Sequence, residues 1–146
     1  MRSLLFASGV YHVAWALFDS FWPHFFAWKR TLAALDDINR SLLYILSRLI
    51  ILLYLYIATL SLFFQDALLG TTIGKSVLIF VTVYWAFRAF MQIQFFGFAR
   101  ADRMNIKLSE LNYPAPVNRL SNRAASTGFF VIMVFGTLVY LVPALR

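Results

Sequence analysis

Two polar residues near the amino terminus carry the side chains that acid–base chemistry requires. His12 and Asp19 are seven residues apart with Trp15 between them, so in a helix they share one face, two turns from each other. Histidine titrates near neutral pH, and burial shifts the pKa of either group. One hypothesis is therefore a membrane-embedded enzyme that modifies or isomerises a lipid, with His12 or Asp19 as acid or base.

Two arginines lie inside long apolar stretches of the chain. Polar and aromatic residues recur around them at helical spacing: Tyr84, Trp85, Arg88 and Gln92 in one stretch, Tyr44 and Arg48 in another. A charge at the bilayer centre costs ~3 kcal/mol on insertion scales, so each guanidinium should face a partner or a wet cavity. Asp19 is the expected partner of Arg88. The alternative is that the Arg88 side chain snorkels to the headgroups.

These residues predict one polar pocket, in the cytoplasmic half of a helix bundle, that binds a small anionic or amphipathic ligand with the arginines as counter-charge. The predicted ligand-binding residues come from three helices: His12, Trp15, Asp19, Arg48, Tyr84, Trp85, Arg88 and Gln92. A transmembrane helix of a partner protein, or of a second copy, is another possible occupant. The competing interpretation is that these side chains satisfy one another and only fix the helix register.

The sequence gives little support to a metal or a cofactor. It contains no cysteine and two histidines, His12 and His24. Haem ligation by His12 is an alternative, but a bis-histidine site needs a second imidazole at similar depth, and His24 lies beyond Pro23. Phosphate-loop, nucleophile-elbow and zinc-protease motifs are missing. We expect no cofactor and favour a binding protein over an enzyme, with a haem- or quinone-anchoring accessory subunit as a third hypothesis.

The composition indicates that the segments carrying these residues lie in a membrane. Of 146 residues, 62% are hydrophobic and 13% are charged, against about 25% charged in soluble domains. Four apolar runs can span ~30 Å of hydrocarbon, at about 4–22, 41–64, 76–97 and 126–144. The runs are continuous rather than alternating, which indicates helices. We predict an all-α fold with four transmembrane helices in a bundle, forming one integral membrane domain over residues 1–146.

The basic residues predict the orientation of the helices. The connections 23–40 and 98–125 carry eight lysines and arginines: Lys29, Arg30, Arg40, Arg100, Arg103, Lys107, Arg119 and Arg123. The other side carries Arg2, Lys75 and Arg146. The positive-inside tendency therefore places both connections in the cytoplasm and both termini outside it. The net charge of +7 suits anionic lipid headgroups, so we expect the lipid bilayer, and no nucleic acid, as the partner.

Several local signals concern how the helices begin, end and pack. Asp36 and Asp37 precede the second span and are expected to cap or charge its start. Pro23 is expected to kink or restart the first helix. Gly128 and Gly136 are expected to permit close helix contact in the last span.

An internal repeat is also possible, as two duplicated hairpins. WALFDSFWPHFFAWKR from residue 15 aligns with WAFRAFMQIQFFGFAR from residue 85. The identical pairs are Trp15 with Trp85, Ala16 with Ala86, Phe25 with Phe95, Phe26 with Phe96 and Arg30 with Arg100. Such a duplication would make the first and third spans counterparts.

Four stretches carry a resemblance to a family: YHVAWALFDSFWPHFFAWKRTLAAL, INR, IGKS and WAFRAFMQIQFF. They resemble a loose group of small, uncharacterised bacterial inner-membrane proteins that share a YH, an FWPxxFxWK, an NR and a WxxRxxxQ pattern. The resemblance covers roughly residues 8 to 98 and implies a bacterial inner-membrane location. The positions it carries over are His12, Trp22, Pro23, Trp28, Lys29, Asn39, Arg40, Trp85, Arg88 and Gln92. No activity is known for the group, and Asp19 lies outside its pattern.

Overall fold

The computed structural model describes residues 1–96 and 122–145, and every regular element among them is a helix. In chain order the helices are α1 (Arg2–Phe25), α2 (Trp28–Thr31), α3 (Asp37–Phe63), α4 (Gln65–Gly70), α5 (Thr72–Phe96) and α6 (Asn122–Ala144). Four of them, α1, α3, α5 and α6, are long and apolar enough to cross a membrane. The predicted fold class, all-α with four membrane-length helices, is confirmed. Most of the predicted basic connection 98–125 lies outside the described residues.

The helices belong to two compact units. The first unit is Phe6–Gln65, and the second is Met1–Leu5 together with Asp66–Arg146. Each unit contains one pair of long helices, α1 with α3 and α5 with α6. The single domain and the duplicated hairpins stay predictions.

In the first unit, α1 and α3 approach closely at Gly9. A Cβ atom added to Gly9 would lie 2.5 Å from Leu62 Cγ and 3.3 Å from the carbonyl oxygen of Ala58. The buried residues of α3 recur at helical spacing along one face: Tyr54, Ile57, Ala58 and Ser61. Small residues on both helices let the backbones come together, as is typical of helix pairs in membranes.

The connection between α1 and α3 contains a left-handed turn, the short helix α2 and a capped start of α3. α1 continues through Pro23 to Phe25, and the chain then turns at Ala27, whose φ of 46° is left-handed. The next helix, α2, begins at Trp28, five residues after Pro23. The helix therefore restarts beyond the proline rather than at it. At the start of α3, the Asp36 carboxylate accepts the backbone N–H of Asn39 at 2.9 Å, which confirms the predicted cap.

In the second unit, α4 and α5 meet in a tight turn. Thr71 Oγ1 accepts the backbone N–H of Gly74 at 2.9 Å and so caps α5. A Cβ atom on Gly74 would meet the carbonyl oxygen of Ala67 and lie 2.5 Å from Leu68 Cα, so the turn requires glycine there. The exposed side chains of Arg2 and Asp66 form an ion pair at 2.5 Å, which joins the start of the chain to α4.

α5 packs along α6 in the same unit. The buried residues of α5 form one stripe that includes Leu78, Val81, Trp85 and Ala89. Gly136 is buried on α6, but Gly128 is exposed, and an added Cβ atom there would meet no atom of the described residues within 4 Å. Among the described residues, Gly128 therefore makes no close helix contact of the kind expected.

Candidate functional site

The eight predicted site residues divide equally between the two units. The first unit holds His12, Trp15, Asp19 and Arg48, and the second holds Tyr84, Trp85, Arg88 and Gln92. The predicted convergence of all eight on one pocket, and the predicted ion pair between Asp19 and Arg88, both run between units and stay predictions.

His12 is fully buried in the first unit. Its Nδ1 lies 2.9 Å from the carbonyl oxygen of Ser8, one turn earlier on α1. A carbonyl oxygen can only accept, so Nδ1–H is the donor and Nε2 is the acceptor nitrogen of the neutral ring. The edge of the imidazole faces Tyr54 on α3, with ring centroids 5.8 Å apart. The enzyme and haem hypotheses for His12 stay predictions.

Trp15 follows His12 on the buried face of α1. Its indole is tilted against Tyr54 at a centroid distance of 6.3 Å and stands edge-on to Phe18 at 5.6 Å. Asp19, one turn further, is half-buried. His12, Trp15 and Asp19 therefore follow one side of α1, as the spacing predicts.

Arg48 does not share the face of α3 that contacts α1. It is exposed, and at about 100° per residue it lies ~130° around the helix from the middle of the buried face formed by Tyr54, Ile57, Ala58 and Ser61. Within the first unit Arg48 therefore lies away from His12, and its place in a pocket shared with the second unit stays a prediction. Both faces of α3 are apolar, so the apolar pattern does not distinguish the packed face from the lipid-facing one.

Arg48 instead lines a shallow, open depression on the surface of α3. The cavity has a volume of about 340 Å³, and its lining comes from one side of this helix: Tyr44, Ile45, Arg48, Leu49 and Leu52. The ring of Tyr44 contacts Trp28 edge-on, with centroids 5.4 Å apart. Tyr44 and Arg48 therefore lie together as predicted, but on the exposed side of the unit.

In the second unit, Arg88 presents a buried donor. Trp85, one turn earlier on α5, is fully buried, and its indole stands edge-on to Tyr84 at 5.7 Å. The Arg88 side chain is half-buried, and its Nε atom is buried with no hydrogen-bond partner among the described residues. Gln92 follows Arg88 by one turn and is also half-buried. These four residues keep the helical spacing that the sequence indicates.

The second unit supplies little negative charge to this arginine. In its described part, residues 1–5, 66–96 and 122–145, the one carboxylate side chain is Asp66, which is exposed and paired with Arg2. Arg88 follows the first residue of α5 by sixteen positions, or ~24 Å along the helix axis, whereas Asp66 precedes that residue. A buried donor without an acceptor costs about 1–3 kcal/mol. The Nε–H group of Arg88 can therefore take an acceptor from a ligand.

The sequence did not identify two features around these residues. Tyr54 packs against the rings of both His12 and Trp15, and only its spacing with Ala58 and Ser61 on α3 could have pointed to a packed face. The connection before α5 contains α4, a helix of six residues that the sequence does not indicate. A helix this short shows no apolar periodicity that separates it from a loop.

Comparison with protein-family models, with curated proteins and with solved structures finds no match to this chain. The resemblance to small bacterial inner-membrane proteins therefore stays a prediction, as does the ligand-binding role of every residue above.

Proposed function

We propose that this multi-pass protein lies in a bacterial inner membrane and binds a small anionic or amphipathic ligand, with Arg88 as its counter-charge. The observation that carries the proposal is the buried Nε atom of Arg88, which has no hydrogen-bond partner among the described residues. A guanidinium without an acceptor is costly in an apolar environment. An anionic ligand group would remove that cost.

The chemistry of arginine defines the ligand class. The guanidinium presents its donors in a planar fork that matches the oxygen atoms of a carboxylate or a phosphate. Tyr84, which stands edge-on to the buried Trp85, and the neighbouring apolar side chains of α5 offer aromatic and aliphatic surface beside it. A ligand with one anionic group and an apolar body would satisfy both parts of this surface.

The distribution of charge supports an orientation for this site. Lysines and arginines are concentrated in the connections 23–40 and 98–125, so we place these in the cytoplasm and both termini in the periplasm. Arg88 precedes Gln94, the last residue of the third candidate span, by six positions, or ~9 Å. The ligand's anionic group would then lie in the cytoplasmic half of the membrane.

Native mass spectrometry of the purified protein tests this proposal. We expect wild-type protein, released from a neutral detergent, to carry a small-molecule adduct that Arg88→Gln lacks. Arg2→Gln is the matched control, because Arg2 is exposed and paired with Asp66, and it should retain the adduct. An adduct of equal occupancy on Arg88→Gln would contradict the proposal. A polypeptide that co-purifies with wild type and is lost from Arg88→Gln would instead indicate a partner helix as the occupant.

A further inference from the structure

The exposed side of α3 has a polar-to-apolar order along its length. Asp37 begins the helix, and Arg48 lies eleven residues later, at ~16 Å along the axis. Tyr44 is one turn nearer the start and contacts Trp28, a residue pair typical of the membrane–water interface. Beyond Arg48, Leu49 and Leu52 are exposed. Along the lining of the depression, Tyr44 and the exposed Ile45 therefore come first, Arg48 follows, and the two leucines lie deepest.

Positive charge predominates at the shallow end of this face. Lys29 and Arg30 follow Trp28 directly and are exposed. The two carboxylates nearby offset part of this charge, since Asp37 pairs with Arg40 and Asp36 keeps its negative charge while it accepts from the neutral Asn39. At the shallow end of this face, the positive charges therefore outnumber the negative ones. This excess of positive charge favours the binding of an anion.

We propose that this face binds one anionic phospholipid, whose phosphate accepts from Arg48 and whose acyl chain lies along Leu49 and Leu52. Side chains on a helix lean toward its amino terminus, so the guanidinium of Arg48 leans toward the headgroup end of α3. A phospholipid in that leaflet has its negative charge and its acyl chains in the same order as this face. This site lies on the first unit and is independent of the ligand proposed at Arg88.

The lining of the depression favours a lipid over a transmembrane helix. Helices that pack in membranes use small residues at their contact, as α3 does with Ala58 and Ser61 on its buried face. The lining of the depression has none, since it consists of Tyr44, Ile45, Arg48, Leu49 and Leu52. An acyl chain adapts to such bulky, uneven side chains, whereas a helix backbone could not approach them closely. The depression is also open, which leaves it accessible from the bilayer.

Lipid titration followed by native mass spectrometry tests this site. Delipidated protein in neutral detergent is titrated with phosphatidylglycerol or with phosphatidylcholine of the same acyl chains. We expect wild type to bind one phosphatidylglycerol in preference to phosphatidylcholine, and Arg48→Gln to bind phosphatidylglycerol about tenfold more weakly. Arg48→Lys, which retains the charge, should recover part of the affinity, and Arg2→Gln should match wild type. Equal binding of phosphatidylglycerol by wild type and Arg48→Gln would overturn the proposal.

A photo-crosslinking amino acid at Leu52 identifies the occupant in native membranes and does not depend on the Arg48 variants. The expected product is the protein plus the mass of one phospholipid. A crosslink to another polypeptide, or to a second copy of this chain, would overturn the assignment to a lipid. Neither measurement involves Arg88, so this site and the proposed ligand site can fail separately.

Discussion

Gly9 on α1 lies directly against Leu62 on α3, and a Cβ atom added to Gly9 would come within 2.5 Å of Leu62 Cγ. Leu62 Cγ is a branched carbon near the backbone, so the leucine cannot swing away as the end of a long side chain could. The α1–α3 pair, which holds His12 against Tyr54, therefore depends on glycine at this position.

Gly9→Ala should destabilise the protein by ~1–3 kcal/mol, because the added methyl group overpacks the contact with Leu62. Thermal unfolding in detergent, followed by circular dichroism, measures the effect. Gly128→Ala is the control, since a Cβ atom there meets no atom of the described residues within 4 Å. Combining Gly9→Ala with Leu62→Ala should be less destabilising than the sum of the two single changes. Additive losses would show that the two positions are not in contact.

The amino terminus of α3 should respond to acid through Asp36. The backbone N–H of Asn39 donates to its carboxylate, and this bond, followed by that from the Asn39 side chain, lowers the pKa of Asp36 below 3.8. A lowered folded-state pKa means that the cap is fully present above pH 3.8. Its contribution is then lost as the pH falls through the folded-state pKa. The protection factor of the Asn39 amide, which compares its exchange rate with the intrinsic rate at the same pH, should fall over that range.

Asp36→Asn provides the matched control for this titration. Asparagine retains a side-chain oxygen that caps the helix but does not titrate in this range. Exchange at Asn39 in this variant should therefore lack the acid transition attributed to Asp36, while Asp36→Ala should exchange faster at every pH. An unchanged acid transition in Asp36→Asn would assign it to another group, such as Asp37.

The length and continuity of the apolar runs were sufficient to predict the four long helices. The predicted span 41–64 corresponds to α3 at Asp37–Phe63, and the cap at Asp36 followed from the two carboxylates before it. The side of each helix that packs against another helix was not predictable in the same way. In a bilayer, both the lipid-facing and the packed side of a helix are apolar, so the exposed Leu52 and the buried Ile57 of α3 look alike in sequence. For this reason the sequence alone did not show that Arg48 lies on an exposed part of α3.

Arg88→Leu should stabilise the protein in the absence of ligand, by about 1–3 kcal/mol, because it removes a buried donor that lacks an acceptor. Arg88→Gln, which keeps a polar group of smaller size, is expected to fall between wild type and the leucine variant. The midpoint of thermal unfolding in neutral detergent checks this order. A clear loss of stability in Arg88→Leu would instead show that a carboxylate, such as the predicted partner Asp19, compensates the guanidinium.

The most direct measurement of the central claim is the Nε–H resonance of Arg88 in a ¹⁵N–¹H NMR spectrum of arginine-labelled protein, assigned by its loss in Arg88→Lys. The single-chain anion dodecyl phosphate is added, with neutral dodecyl maltoside as the control. We predict that dodecyl phosphate moves this resonance downfield and slows its exchange with water, because the phosphate accepts from Nε–H. The maltoside should leave it unchanged. A resonance that dodecyl phosphate does not move would contradict the assignment of Arg88 as the counter-charge of a bound anion.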